Sequence, residues 1–220
     1  MTKICVSIKG KSPTELKRKA LEAIRLGADL IEFRLDYLEE PFDERVHDLI
    51  RKFHNQTLVT LRERDEGGRY SGSIEDKIQF MKKIAALKPM YIDLELRKLD
   101  KDLVKRLKDT RLIISWHSFE KTPSLEILEN IVERALKLGD LAKIVTRAEK
   151  LSDQLRILRL YNRFDSRRLI AFTVGSSGIL SRLISAKLGS PITYVSLPDE
   201  PLAEGQPNIL EFMELMNLCR

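Results

Sequence analysis

The 220 residues predict a single α/β domain, residues 1–220, folded as a closed (β/α)8 barrel of the TIM class. Three observations predict it. Short β-rich runs alternate with amphipathic stretches along the whole chain, and such regular alternation implies parallel strands joined by right-handed crossovers. There are eight strand candidates in 220 residues, which suits one closed barrel at the compact end of its size range. No GxGxxG follows the first strand, so the open doubly wound sheet ranks second.

The strand candidates are Lys3–Lys9, Leu30–Asp36, Thr57–Arg62, Met90–Leu96, Arg111–His117, Leu141–Thr146, Leu169–Gly175 and Ile192–Leu197. Between them lie helical patterns. Thr14–Leu26 opens on Ser12-Pro13-Thr14-Glu15, a capping box with Pro at the first helical position, and closes at Gly27 as a C-terminal cap. Ile74–Leu87 starts behind Ser73; Ser124–Leu138 starts behind Thr122-Pro123 and ends at Gly139. Helices near 42–54, 99–108, 151–163, 178–188 and 208–218 complete the set. Two joints echo each other: Leu26-Gly27-Ala28-Asp29-Leu30 and Leu138-Gly139-Asp140-Leu141 both pass from helix through Gly and Asp into a strand.

Composition narrows the function classes. A hydrophobic share of 43% excludes a disordered chain. No apolar run approaches the ~18 residues of a membrane helix. The start, Met1-Thr2-Lys3-Ile4-Cys5-Val6, is too short in apolar residues for a signal peptide, which predicts a cytoplasmic protein with no membrane partner. Cys5 and Cys219 make neither a disulfide framework nor a zinc spacing and read as inert thiols; no metal is expected. The charge of +6 comes from 39 basic and 33 acidic residues that are interspersed, as in Glu15-Leu16-Lys17-Arg18-Lys19. That pattern reads as solvated helix faces rather than a nucleic-acid surface. A basic chain also favours an anionic small substrate by steering.

Barrel active sites lie at the C-terminal strand ends, so charged residues inside these strands need explaining. Strand two places Glu32, Arg34 and Asp36 on one face by the period of two. They read as a ligand-binding face or as a paired layer across the barrel centre. Strand three runs into Arg62, then Glu66-Gly67-Gly68, where the glycines permit a tight loop and Glu66 is either a site acid or a solvated one. Asp93 and Glu95 of strand four share a face and are in place to pair with the arginines. Of three histidines, His47 and His54 fall on helix two and are expected to face solvent. His117 ends strand five, a position suited to general acid/base work. Lys143, between Ala142 and Ile144, is the sharpest anomaly, because burying an ammonium is costly unless it is paired or its pKa falls. A lysine of lowered pKa attacks carbonyls through a Schiff base; the plainer reading is a lysine paired with Glu32 or snorkelling from the barrel end. After strand seven, Gly175-Ser176-Ser177-Gly178 opens a helix and offers an anion site, and Arg182 one turn on is placed to grip a carboxylate.

With these residues assembled, the chain resembles type I 3-dehydroquinate dehydratase, the Schiff-base dehydratase of the shikimate pathway. The resemblance runs over roughly residues 3–207. It rests on Glu32-Phe33-Arg34-Leu35-Asp36, Arg62 with Glu66-Gly67-Gly68, Ser115-Trp116-His117-Ser118-Phe119 with Thr122-Pro123, Lys143-Ile144, Gly178 with Ser181-Arg182, and Ala203-Glu204-Gly205-Gln206. It implies a cofactor-free hydro-lyase of aromatic amino-acid biosynthesis that takes 3-dehydroquinate to 3-dehydroshikimate and water, most often as a homodimer. It further implies that Lys143 forms the imine with the C3 ketone, and that His117 is base at C2 and acid for the C1 hydroxyl. Glu66 then orients His117, and Arg182 holds the carboxylate. Glu32, Arg34 and Arg62 grip ring hydroxyls and pair with one another, while Ser7 and Gln206 complete the polar shell. One departure is plain. The family usually has Ser or Thr where this chain has Leu202, and Pro where it has Glu204, in a lid that spans Pro198–Gln206.

Two other readings stay in view. A class I aldolase also uses a strand-six lysine on this fold, with Gly175–Gly178 as its phosphate site. A non-catalytic basic barrel is the other. The last helix offers an apolar face of Met213, Leu215, Met216 and Leu218, which is expected to pack on the barrel rather than on a partner.

Overall fold

The computed structural model describes residues 1–218 apart from Pro41, Asp100, Lys108 and Ser177. Ser177 and Cys219, both named above, thus lie outside the described residues. The chain runs β1 Lys3–Ile8, α1 Pro13–Arg25, β2 Leu30–Arg34, α2 Glu44–Lys52, β3 Thr57–Thr60, α3 Ile74–Ala86, β4 Tyr91–Glu95 and α4 Lys101–Arg106. It continues β5 Leu112–Ser118, α5 Leu125–Leu136, β6 Leu141–Arg147, α6 Leu151–Leu158, β7 Leu169–Val174, α7 Gly178–Lys187, β8 Ile192–Val195 and α8 Ile209–Leu218. Every expected strand is present. β2 and β4 end earlier than expected, because the chain leaves the sheet in 3-10 turns at Leu35–Tyr37 and Leu96–Lys98.

All ladders are parallel, in the order β7-β6-β5-β4-β3-β2-β1-β8, so the barrel is nearly closed. Among the described residues no ladder joins β7 to β8. The register decides what faces the interior. Cys5 lies opposite Leu30, Leu58 opposite Tyr91 and Ile113 opposite Leu141. At every second ladder it steps by two: Glu32 lies opposite Leu58, Asp93 opposite Ile113, Lys143 opposite Ile170 and Tyr194 opposite Cys5. This stagger sets the inward side chains of odd and even strands at alternating heights, the layered filling of a β/α barrel.

The floor of the interior is apolar. Cys5, Leu30, Leu58, Tyr91, Ile113, Leu141, Ile170 and Ile192, one from each strand, belong to one buried cluster. Two residues further along each strand, the same face carries Ser7, Glu32, Thr60, Asp93, Ser115, Lys143, Phe172 and Tyr194. On every strand but β7, where Phe172 stands, the inward face thus turns from apolar to polar at this second position. Intervening residues such as Val6, Phe33, Val59, Ile92, Ile114, Ile144 and Val195 point outward and pack against Leu16, Ile50, Met81, Ile84, Val132, Ile157 and Phe212 of the helices.

The echoed joints do one job in both places. Asp29 Oδ2 accepts the Ile4 N–H at 2.8 Å and Asp140 Oδ2 accepts the Leu112 N–H at 2.7 Å. Each aspartate N–H returns to the carbonyl of the same residue at 2.9 Å. An aspartate clamp therefore ties each incoming strand to the one before it. The glycines differ. Gly27 has φ +98 and closes α1, with its N–H on Ile24 O and the Ala28 N–H on Ala23 O. Gly139 has no such φ; a Cβ there would come 2.6 Å from Ile114 Cγ1 and 3.0 Å from the Leu112 carbonyl, so close approach to β5 requires it. The capping box of α1 is half made. Ser12 Oγ accepts the Glu15 N–H, but the Glu15 carboxylate reaches back to the Lys11 N–H at 2.8 Å, one residue beyond the cap, and also pairs with Lys19. His47 is not turned to solvent as expected: it stands edge-on to Phe42 with ring centroids 4.9 Å apart, its Nδ1 on Glu44. His54 is exposed, in the 3-10 turn after α2. On α8, Met216 packs on the barrel while Met213 and Leu218 stay exposed.

Candidate active site

Lys143 is seated by its own layer. The even strands bring Glu32, Asp93 and Tyr194 to its height, and its Nζ lies 3.5 Å from Asp93 Oδ2, 3.7 Å from Glu32 Oε1 and 3.8 Å above the Tyr194 ring centroid. Burying this ammonium is tolerable because two carboxylates and a ring face surround it. The neighbouring layer from the odd strands fixes those acids. Ser7 and Thr60 both donate to Glu32, and Ser115 donates to Asp93 at 2.6 Å. Burial alone pushes the Glu32 carboxyl up, but Lys143, Arg34 and the two hydroxyls outweigh it and hold it at about 2.

Arg62 crosses the interior to Asp93 at 2.8 Å and Ser115 at 2.8 Å, with Glu95 at 3.5 Å. Arg34 instead forks onto both oxygens of Asp36, at 2.9 and 2.8 Å. The pairing expected among Glu32, Arg34 and Arg62 is therefore not formed among the described residues, because Asp36 and Asp93 lie nearer to the two guanidiniums. The expectation that Asp93 and Glu95 meet an arginine is met, by Arg62.

His117, at the next inward position of β5, stacks on Phe119 with centroids 5.7 Å apart and places Nδ1 2.8 Å from Glu66 Oε2. Glu66 is buried, not solvated. It is delivered by a 3-10 turn at Arg64–Glu66 that ends in Gly67 at φ +77, while Gly68 passes so close to the Arg62 carbonyl that a Cβ would come within 2.0 Å of it. Burial pushes the Glu66 carboxyl up to about 7, against the pull of Arg62. Burial, reinforced by Arg62, Lys143 and Arg34, holds the His117 imidazole well below its ordinary value. Arg97, unforeseen in the sequence, braces this pair: it lies 3.6 Å from Glu66 Oε1, donates to the His117 carbonyl at 2.8 Å and stacks on Trp116. Its position in a turn after β4, outside any strand, gave no periodic signal.

Arg182 fills the seam between β7 and β8. Its guanidinium lies 4.0 Å from the Phe172 ring centroid, donates to the Tyr194 carbonyl at 3.2 Å and meets no carboxylate among the described residues. Burial pushes it down to about 9, and at 2% exposure it is a buried charge without a counter-ion. Ser181 ties its helix to β7 through the Thr173 N–H at 2.9 Å. The glycine loop before α7 is less open to anions than its sequence implied: the Gly178 N–H is spent on Gly175 O, and the Gly175 N–H on Glu204 O. Gln206 turns its Oε1 onto the Leu202 N–H at 2.8 Å and braces the last loop.

All the residues expected from the sequence, Lys143, His117, Glu66, Ser7, Glu32, Arg34, Arg62, Arg182 and Gln206, line one cavity of about 290 Å³ at the C-terminal mouth of the barrel. Arg147, Phe172, Tyr194, Leu202 and Glu204 join them there. Phe172 and Tyr194 are core residues of β7 and β8 that the register brings to the site. Among the described residues, no group of three or more His, Cys, Asp or Glu is arranged to hold a metal ion, and no helix is long and apolar enough to cross a membrane.

Fold and cavity together define a β/α-barrel enzyme whose site joins a buried lysine, a histidine–carboxylate pair and a guanidinium free to take an anion. The family model for type I 3-dehydroquinase matches residues 4–220. The 3-dehydroquinate dehydratase of Methanococcus maripaludis strain S2 is 34% identical over 220 residues, covering 98% of this chain and 99% of the relative. That of Methanocaldococcus jannaschii is 34% identical, covering 98% of each chain. Among solved structures, the 3-dehydroquinate dehydratase of Aquifex aeolicus superposes with a TM-score of 0.82 at 30% identity, over 99% of this chain and 98% of that one. The type I enzyme of Clostridium difficile, solved with covalently modified comenic acid, gives 0.88 at 28% identity, over 99% and 92%. The chain belongs to the type I 3-dehydroquinase family and is a hydro-lyase.

Proposed function

We propose that the chain dehydrates 3-dehydroquinate to 3-dehydroshikimate in the shikimate pathway, through an imine on Lys143, as a cytoplasmic homodimer. One observation carries the reading: Arg182, a buried cation with no acid beside it, faces the same cavity as Lys143 and His117. A substrate carboxylate supplies the missing counter-ion, and a bidentate pair there fixes the ring over Lys143.

Lys143 attacks the C3 ketone, and Asp93 at 3.5 Å is placed to take its proton. Imine formation releases one water. The protonated imine draws electrons from C2, so the C2 proton becomes acidic. His117, kept neutral by its burial, accepts that proton and passes it to the hydroxyl leaving C1, which departs as water while the C1–C2 double bond forms. Hydrolysis of the imine consumes one water and restores the amine, so the net change is the loss of one water. Glu66 holds the tautomer with Nδ1–H toward itself and Nε2 bare toward the substrate. Glu32, Arg34, Arg62 and Ser7 offer donors and acceptors to the ring hydroxyls, with Gln206 in the loop above.

Borohydride reduction in the presence of 3-dehydroquinate tests the imine. The expected result is a covalent adduct that maps to Lys143 and is lost in Lys143→Ala. An adduct that persists in that variant refutes the mechanism. Absence of the ultraviolet absorbance of a conjugated enone with wild-type protein refutes the substrate. Sedimentation at micromolar concentration tests the dimer, for which a monomer is the contrary result.

A further inference from the structure

We infer that Arg147 and Glu204 are positioning residues for this reaction: they latch the last loop over the cavity on the side above Lys143 and Arg182. The inference rests on the proposed function for its kinetic consequence only.

The loop 198–206 is fastened at two edges of very different strength. On the β1 side, Glu200 pairs at 2.6 Å with Lys19, whose side chain is buried and also holds the Lys9 carbonyl at 2.8 Å. Lys9 in turn reaches Pro201 O. On the far side, the loop meets the ends of β6 and β7. There the Gly175 N–H donates to Glu204 O at 3.2 Å, and Arg147 Nη2 reaches Glu204 Oε2 at 2.9 Å.

Period two explains how Arg147 comes to be there. Lys143, Val145 and Arg147 share the inward face of β6, and all three line the cavity. The Arg147 carbonyl is fixed by Thr122 Oγ1 at 2.6 Å, so its side chain rises from a set point at the rim. Glu204 meets it from the loop. The next residue, Gly205, has φ +70 and presses against the Gly175 carbonyl, where a Cβ would come within 2.0 Å. That close approach requires the loop to be down.

Arg147 and Glu204 keep 40% and 52% of their side-chain surface exposed, so their bridge is screened and weak. The loop therefore opens at this edge while the Lys19–Glu200 edge holds as a hinge. Substrate enters where the buried Arg182 charge waits, and the latch re-forms above it. Leu202 carries no hydroxyl to hold a ligand from the loop, so the side-chain tie at this edge is Glu204 to Arg147.

Backbone hydrogen exchange tests the latch without any turnover. In Glu204→Gln and in Arg147→Met, the Gly175 amide is expected to exchange up to about fivefold faster than in wild type, and the double variant no faster than either single one. Strand amides such as Ile144 should be unmoved, and the exchanged pair Arg147→Glu with Glu204→Arg should restore protection. Unchanged exchange at Gly175, or no rescue by the exchanged pair, overturns the latch. For 3-dehydroquinate, KM should rise by a similar factor while kcat falls less. If wild type turns over no 3-dehydroquinate, the functional reading fails while the exchange result still decides the latch. If exchange is unaffected in an active enzyme, the latch alone fails.

Discussion

Arg182 carries its charge into the barrel seam and finds a ring face and one carbonyl there, but no acid. A buried, unpaired charge costs stability, so replacing it by an apolar side chain of similar volume should recover stability, on the order of 1 kcal/mol or more. Arg182→Met should therefore melt at higher temperature than wild type. Its kcat/KM on 3-dehydroquinate should fall by about 30-fold or more, since a buried charge pair to the substrate is worth ~2–5 kcal/mol. A variant that is both less stable and fully active contradicts this role. The Glu66–His117 pair makes a second residue-scale prediction, on pH. The working state needs Glu66 ionised, so that it accepts Nδ1–H and leaves Nε2 bare. Burial raises Glu66 to about 7, so kcat/KM should fall as pH drops through about 7. In Glu66→Gln the amide carbonyl accepts Nδ1–H at every pH. The acid limb should then move below 6.5, to the protonation of His117 itself, under a lower plateau. An acid limb that stays near 7 in the variant removes Glu66 from the pair.

The elements were legible because each strand and helix announces itself through its own period, and the eight-fold alternation needs no long-range information. The Gly-Asp joints show where that legibility stops. Both were visible as a repeat, yet the repeat does not say that the aspartate is the shared part. Gly27 serves a left-handed turn, whereas Gly139 serves close packing on β5, and only the path of the neighbouring strand separates the two. Gly139→Ala should thus destabilise the barrel by about 1–3 kcal/mol through overpacking against Ile114. Asp140→Ala, which leaves the N–H of the buried Leu112 without its acceptor, should cost about 1–3 kcal/mol as well, and Asp29→Ala less, about 0.5–1.5 kcal/mol, because its bond to the Ile4 N–H is exposed and water replaces it. Urea unfolding of the three variants measures this, and an Asp140→Ala variant as stable as wild type contradicts the clamp. The half-made capping box of α1 has a similar origin. Ser12 and Glu15 have the right spacing, but Lys11 and Lys19 compete for the same carboxylate, and the sequence pattern does not weigh such competition.

At the scale of the whole molecule, the site is a consequence of register. Sequence order placed Lys143, Glu32 and Asp93 on inward faces, but not at one height. The two-residue step at every second ladder does that, and it equally brings in Tyr194 and sets Asp93 where Arg62 reaches it from β3's end. Pairing choices of this kind depend on distances across the barrel, to which a one-dimensional pattern is blind. The central layer also sets how the barrel responds to acid. Glu32 is held at about 2 against an ordinary 4.5 because Lys143, Arg34 and the hydroxyls outweigh the burial that would raise it. A carboxylate whose pKa is lower in the folded state stabilises above its unfolded value, and that contribution is lost as pH falls from about 4.5 toward 2; for a shift of this size it is roughly 3 kcal/mol. Lys143→Met keeps the volume and removes the nearest cation. Burial then dominates at Glu32, whose ionised form becomes a liability beside Asp93. The variant should be less stable than wild type by about 3–5 kcal/mol at pH 7, the usual cost of leaving a buried charge without its partner. The gap should narrow as pH falls from the variant's raised Glu32 value, above 4.5, toward 2, as the carboxyl takes up its proton and no longer needs the lysine. Urea unfolding at a series of pH values reads both quantities. A deficit that is the same at pH 7 and pH 3 would mean that Lys143 is held by packing rather than by the charge of its layer.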